Sequence, residues 1–460
     1  MTSAPDSQPE QSIAPKPGAP PRPSFRESLA VYLQRRVLIV LLLGFSSGLP
    51  LALSGSTLLV WMRESGVDLG TIGLFALVGT PYTLKFLWAP LVDALHVPFF
   101  TRRFGRRRGW LVFSQLLLIV AILLLALTDP ARSPLYVALG ALLVATMSST
   151  QDIVVDAFRV ESLPESEQAA GMASYVAAYR IGALVSTAGA LFLVSAFEGT
   201  GIARASAWMW GYVAMAALVL IGTLTALAAT EPEQSARAEA ATSTETTFAR
   251  VMHAAIGAFS EFLVRKDALA ALAFVVLYKF TDAFSGTMTA PFVIDLGFTR
   301  NDYAAIVKGV GLAATLIGGF AGGFVARRYS LAASLWIGGV LQAIANLSFS
   351  WLAIIGVNQW ALAFAITTEN FTSAIGTVIF VAYLSALCKN PLHTATQYAL
   401  LTALAAVGRT YLSSGAGYVA KATGWPLFFA ICVVVAVPSL ILLAWLQRRG
   451  HFETLEPVKV

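Results

Sequence analysis

Charge is scarce in this sequence. Only 12% of its 460 residues are Asp, Glu, Lys or Arg, against about 25% in a typical soluble domain, which excludes an ordinary water-soluble globule. Cysteine is nearly absent as well. Cys388 and Cys432 lie far apart without metal-like spacing, so neither a disulfide framework nor a metal site is indicated. The four histidines, His96, His253, His393 and His451, are scattered, and no carboxylate pair sits on a loop where a membrane-facing enzyme would keep its chemistry. No Gly-x-x-x-x-Gly-Lys-Ser/Thr run occurs, so ATP is not the expected energy source and no cofactor is implied. The first 24 residues are polar and rich in Pro, Ser and Gln, which reads as a disordered tail without a cleavable signal.

Apolar runs fill the rest: 57% of the residues are hydrophobic. Stretches of about 20 residues, each able to cross a hydrocarbon core of about 30 Å, predict twelve spans. They fall near 37–61, 70–93, 110–128, 134–157, 168–195, 206–229, 267–293, 302–325, 331–353, 358–386, 396–419 and 425–446. The chain is therefore expected to be an all-α polytopic membrane protein. Its net charge of +6 lies mostly in loops and reports orientation, not nucleic-acid binding. Arg26, Arg35 and Arg36, the cluster from Arg102 to Arg108, Arg327 and Arg328, and Arg448 and Arg449 fall on one side. Single basics such as Arg63, Arg132, Arg204 and Arg300 fall on the other. The positive-inside rule then puts both termini in the cytoplasm.

The expected organisation is a tail (1–36), a six-helix half (37–229), a cytoplasmic linker (230–266), a second six-helix half (267–446) and a C-terminal tail (447–460). The linker opens with Glu231-Pro232-Glu233, and a surface helix is expected near 247–264. The halves repeat weakly: Ser54-Gly55 with Gly66 matches Ser285-Gly286 with Gly297, and Gln168 to Arg180 matches Gln397 to Arg409. Two parallel six-span halves around a central site resemble the plan of major facilitator transporters.

Ionisable groups inside a span are costly unless they face a cavity or a partner. Asp152, Asp156 and Arg159 follow at i, i+4 and i+7 near the end of the fourth span and share one helical face. Asp152 and Asp156 are candidate proton acceptors, because burial and like charge favour a protonated carboxyl; Arg159 pairing with Asp156 as a structural couple is the alternative. Gln151 precedes them as a candidate solute contact. In the second span Tyr82 and Lys85 are candidate solute contacts, with snorkelling of the lysine as the other reading. Asp93, Arg106 and Arg107 resemble the major facilitator loop signature that shuts one side, although several residues separate Asp93 from the arginines. Arg159 and Glu161 are the expected partners in that gate. Tyr179 and Arg180 in the fifth span are further solute contacts, with Arg180 equally suited to pairing an Asp of span four. In the seventh span Lys279 and Asp282 are i, i+3: a self-paired couple, or a cationic contact and a coupling carboxylate. Glu369 and Asn370 lie mid-span in the tenth helix as candidate solute contacts, the carboxylate needing a cavity or a partner such as Lys279 or Arg409. The glycines of 318–323 suit close helix packing. Cations, carboxylates and tyrosines together suit a large, polar, mainly anionic solute with sugar faces.

The runs Phe45-Ser46-Ser47-Gly48-Leu49-Pro50, Lys85-Phe86-Leu87-Trp88-Ala89-Pro90-Leu91-Val92-Asp93 and Arg106-Arg107-Arg108-Gly109-Trp110 resemble the AmpG family of muropeptide permeases. So do Gln151-Asp152-Ile153-Val154-Val155-Asp156-Ala157-Phe158-Arg159, Tyr278-Lys279 with Asp282, and Thr396-Gln397-Tyr398-Ala399-Leu400-Leu401. The resemblance runs from about 40 to 420, and larger members continue beyond this C-terminal end. It implies a monomer of the bacterial inner membrane that uses the proton motive force to import N-acetylglucosaminyl-1,6-anhydromuramyl peptides from periplasm to cytoplasm. That import serves peptidoglycan recycling and, where the regulator exists, β-lactamase induction. The alternatives are another anionic solute such as acetyl-CoA or a peptide, a non-transporting receptor, or a membrane enzyme acting on lipid-linked sugars. Eukaryotic acetyl-CoA transporters are distant relatives, so fold alone does not fix the solute.

Overall fold

Helices account for every regular element of the computed structural model, which describes residues 30–232, 267–387, 394–453 and 455. Residues 1–29 of the expected N-terminal tail, the surface helix expected near 247–264, Cys388 and His393 lie outside the described residues, and the first span already begins at Arg35. Among the described residues, ten helices are long and apolar enough to cross a membrane. In the order of the twelve expected spans they are the first (Arg35–Glu64), third (Arg106–Ala126), fourth (Pro134–Ser162), fifth (Ser174–Gly199), sixth (Arg204–Ala228), seventh (Ala268–Asp295), eighth (Arg300–Ala326), ninth (Leu331–Ile355), tenth (Gln359–Leu387) and twelfth (Trp425–Arg448).

The second and eleventh spans are interrupted helices. The second runs through Leu69–Leu74, Thr80–Leu84 and Ala89–Ala94, joined by tight 3-10 turns at Phe75–Gly79 and Lys85–Leu87. Its prolines, Pro81 and Pro90, cannot donate to the helical ladder and sit at the starts of the restarted pieces. The eleventh runs through Thr394–Thr410 and Ala416–Thr423 around a 3-10 turn at Leu412–Gly415. There the Ser413 hydroxyl bonds back to the Arg409 carbonyl, and the Ser414 hydroxyl to the Tyr411 carbonyl at 2.6 Å, a competition that bends helices. The fifth and eighth spans are also irregular, with π-helical turns at Val185–Gly189 and Tyr303–Val310. All four of these irregular spans meet across the two halves: the second packs on the eleventh, and the two π-helical turns pack on each other.

That packing is lopsided. At the end of the bundle away from the termini (the far end), the stretch Ser56–Glu64 of span 1 packs on span 7, and Leu69–Leu74 packs on Ala416–Thr423. Gly73 makes the second crossing possible: a Cβ there would lie 2.8 Å from the Gly417 nitrogen and 2.9 Å from the Ser414 carbonyl. At the end carrying the termini (the terminal end), Glu165–Leu184 and Gly311–Arg328 make no comparable contact with each other. The halves thus lean together at the far end and stand apart at the terminal end.

Each half is stiffened near its far end by aromatic packing, worth about 0.5–1.5 kcal/mol per ring pair beyond area. Trp61 stacks on Trp208 at 5.6 Å in the first half, and Phe292 meets Phe429 at 4.7 Å in the second. Gly318 and Gly322 do bring span 8 onto the tenth-span backbone at Phe371 and Ile375, as expected for small residues in a membrane interface.

Candidate functional site

Charged side chains gather between the halves in two clusters. In the first half, Asp152 projects from span 4 toward Ser47 of span 1, Lys85 of span 2 and Tyr175 and Tyr179 of span 5. Its Oδ1 is buried without a hydrogen-bond partner, and so is the Tyr82 hydroxyl nearby. Asp156, one turn on, has a side chain 49% exposed and pairs with Arg159 at 3.5 Å. Arg159 also lies 5.9 Å over the Tyr175 ring. Gln151 has no exposed surface; its Nε2 donates to the Ser47 hydroxyl at 3.3 Å, so it stands behind Asp152 and holds that wall. Arg180 is exposed and makes no ion pair among the described residues.

In the second half, Lys279 donates to Asp282 Oδ2 at 2.6 Å and to the Thr377 hydroxyl at 3.0 Å. The Ser373 hydroxyl donates to the other Asp282 oxygen at 2.8 Å, so that carboxylate is saturated. Glu369 is less well supplied. Asn370 Nδ2 donates to it at 2.9 Å, and Lys279 and Lys308 lie within electrostatic reach. Asn370 is itself fixed by Thr315, whose hydroxyl donates to Oδ1 at 3.2 Å. Lys308 reaches the first half as well: its Nζ donates to the Ser56 hydroxyl at 3.2 Å. A lysine inside an expected span was a legible signal by the same cost argument; the sequence reading passed over it.

The expected gate residues occupy the terminal end, within the first half. Arg107 contacts Glu161 through Nε at 3.1 Å and Nη2 at 2.5 Å, and Arg106 lies 3.7 Å from the same carboxylate. Glu231 accepts from the Arg107 and Arg108 backbone N–H groups at 2.8 and 3.0 Å, capping the start of span 3. These contacts tie spans 3, 4 and 6 together and do not cross to the second half. Asp93 lies on Ala89–Ala94, and its expected side-chain contacts fall outside the described residues.

Among the described residues, the ion pairs that do cross between halves are at the far end. Arg300, 7% exposed, donates from Nε to both Glu64 oxygens at 2.5 and 2.7 Å and from Nη2 to Glu198 at 2.7 Å. Trp208 Nε1 donates to Glu64 at 3.2 Å, and the Arg300 guanidinium lies 5.5 Å over the Trp208 ring. Arg63 pairs with Asp295, which also accepts from Trp425 Nε1 at 3.0 Å. Lys421 lies 3.6 Å from Asp68 at the rim. The Thr71 hydroxyl bonded to Asp68 holds that carboxyl below its ordinary 3.8, backbone N–H bonds from Thr71 and Gly70 adding to the effect. Deeper in, the Thr83 and Thr410 hydroxyls meet at 3.0 Å. Reading Arg63 and Arg300 as orientation signals missed this. The repeat held a clue: Glu64 and Asp295 each precede their matched glycine, Gly66 and Gly297, by two residues.

No group of three or more metal-ligating side chains occurs among the described residues. The model of the Major Facilitator Superfamily matches residues 40–411. The anhydromuropeptide permease of Escherichia coli strain K12 is 40% identical over 416 residues, covering 90% of this chain and 80% of that protein. Among solved structures, a D-xylose–proton symporter superposes with a TM-score of 0.65 at 13% identity, covering 89% of this chain and 97% of that one. A POT family transporter in complex with a thioalcohol-conjugated peptide gives 0.65 at 11% identity, covering 90% and 96%; at such identities these likenesses establish the fold alone. The chain is thus a transporter that belongs to the major facilitator superfamily and, within it, to the AmpG family of muropeptide permeases.

Proposed function

We propose that this protein imports anhydromuropeptides from periplasm to cytoplasm, driven by the proton gradient, as a monomer in the bacterial inner membrane with both termini cytoplasmic. The observation that carries the reading is the combination of two charged clusters between two leaning halves with 40% identity to an anhydromuropeptide permease. With that orientation the terminal end faces the cytoplasm, and the arrangement with a sealed far end is the inward-facing state of an alternating-access cycle.

The roles follow from what each side chain is free to do. Asp282 is saturated by Lys279, Thr377 stands beside the lysine, and Ser373 holds the second oxygen. A proton arriving there must first break these bonds, so Asp282 serves coupling only if Lys279 is drawn off, for example by the solute. Asp152 needs no such event: one oxygen is already buried and unpartnered, and protonating it removes a charge and supplies a donor. Asp156 is half-exposed and held loosely by Arg159. Proton entry through Asp156 and residence on Asp152 is the order this geometry favours. Tyr82, Lys85, Tyr179, Arg180, Glu369 and Asn370 remain the solute-facing set, while Gln151 supports the wall behind it. Arg106, Arg107 and Glu161 make the terminal end of the first half rigid, so that it swings as one body.

Replacing Asp152 or Asp156 with Asn and measuring uptake of labelled anhydromuropeptide into vesicles under an imposed pH gradient tests the coupling. Loss of the pH dependence with solute binding retained is expected. Unchanged pH-driven uptake in both variants removes the assignment.

A further inference from the structure

Spans 5 and 11 hold corresponding places in the two halves, and each carries one arginine at the same register. Arg180 follows Gln168, and Arg409 follows Gln397, by the same twelve positions. Both side chains are exposed, and neither makes an ion pair among the described residues. The exposure is not to lipid. Both guanidinium groups lie within electrostatic reach of the Tyr179 hydroxyl, whose ring rests 6.2 Å from that of Tyr175 on the inner wall beside Asp152. Arg409 also adjoins Thr410, buried and bonded to Thr83 across the halves. A bare guanidinium facing hydrocarbon would be prohibitive, whereas one facing a water-filled space between halves is tolerated.

The other cations at this depth have an anion or acceptor near. Lys279 has Asp282, Arg159 has Asp156, Lys308 has Ser56, and Lys85 faces Asp152. Two arginines, one per half, are left over. A guanidinium offers a planar fork that binds a carboxylate through two parallel N–H bonds, which a lysine cannot match. We propose that Arg180 and Arg409 form a two-armed anion clamp that takes the carboxylates of the solute, one arm from each half. Empty, the two like charges resist approach of the terminal ends. A solute with carboxylates at both arms cancels that repulsion and ties the halves together, so occupancy itself favours closure. The clamp deepens the muropeptide reading and rests on it for the identity of the solute: a peptide stem supplies carboxylates that the disaccharide lacks.

The test is binding to the purified full chain, followed as a shift in unfolding temperature. The ligands are an anhydromuropeptide with free carboxylates and the same molecule converted to carboxamides. Wild type is expected to prefer the free acid by about tenfold or more, equivalent to about 1.4 kcal/mol. Arg180→Gln and Arg409→Gln are each expected to weaken the free acid far more than the carboxamide and so to lose that preference, and Arg409→Lys to retain part of it. Equal weakening of both forms in Arg409→Gln, or a preference untouched in both Gln variants, overturns the clamp. If wild type binds neither form, the muropeptide reading falls separately, and the same variants are scored with short peptides bearing two carboxylates against their amides. A charge preference that Arg409→Gln abolishes there supports the clamp, and its absence in wild type overturns it.

Discussion

Replacing Arg300 with Gln should open the far end. Arg300 is almost fully buried and holds two carboxylates of the other half, Glu64 through two contacts and Glu198 through one. Truncating one partner of a buried, hydrogen-bonded charge pair costs about 2–5 kcal/mol. A mid-range loss of about 3 kcal/mol, at about 1.4 kcal/mol per decade, moves the ratio of far-end-closed to far-end-open molecules by about two decades. Closure seals Glu64 beside Trp208, so its charge is stranded without Arg300, whereas opening returns it to water. Spin labels at Thr200→Cys and Asn358→Cys, both exposed near the far end of opposite halves, report the separation. Cys388 and Cys432 are replaced by Ser in that background. Wild type should give mainly the short distance, and Arg300→Gln mainly a longer one. The double variant Arg300→Gln/Glu64→Gln should recover part of the short population, because the stranded charge is gone. A distance distribution unchanged by Arg300→Gln would refute the reasoning, since the buried pair would then contribute nothing to the closed state.

The contact of Gly73 with the Gly417 and Ser414 backbone leaves no room for a side chain, so Gly73→Leu should lengthen the same label distance. In contrast, Glu161→Gln removes charge-assisted bonds from Arg107 inside one half. It should lower the unfolding temperature by an amount matching about 1.5–3 kcal/mol while leaving the label distance as in wild type. Asp68 caps Leu69–Leu74 through its Oδ1, and Asp68→Ala should cost about 1 kcal/mol. Because the folded Asp68 carboxyl is held below its ordinary 3.8, its contribution is present above that value and lost only as pH falls through the lower one. The difference in unfolding temperature between wild type and Asp68→Ala should therefore stay constant from pH 7 to pH 5.

Much of this was readable from residue spacing. Asp152, Asp156 and Arg159 announced a polar face because a span needs none, and Ser54-Gly55 with Ser285-Gly286 announced the repeat. Lys279 and Asp282 at i, i+3 implied the pair that forms at 2.6 Å. Other features depend on contacts between segments hundreds of residues apart. Glu64, Glu198 and Arg300 each look like helix-end residues, and only the lean of the two halves brings them together. Gln151 looked like its charged neighbours but is wholly buried, its amide bonded to the Ser47 hydroxyl. The breaks in spans 2 and 11 were half legible. Pro81 and Pro90 marked the first, while the second depends on serine hydroxyls competing for helix carbonyls, which no hydropathy window detects.

The central claim is that a pH gradient drives this chain to move anhydromuropeptides. Purified protein in proteoliposomes, with the interior made alkaline and labelled anhydromuropeptide outside, tests it most directly. The account predicts accumulation above the external concentration, abolished by a protonophore and by Asp152→Asn. Uptake that only equilibrates the label, or accumulation unaffected by the protonophore, would contradict it.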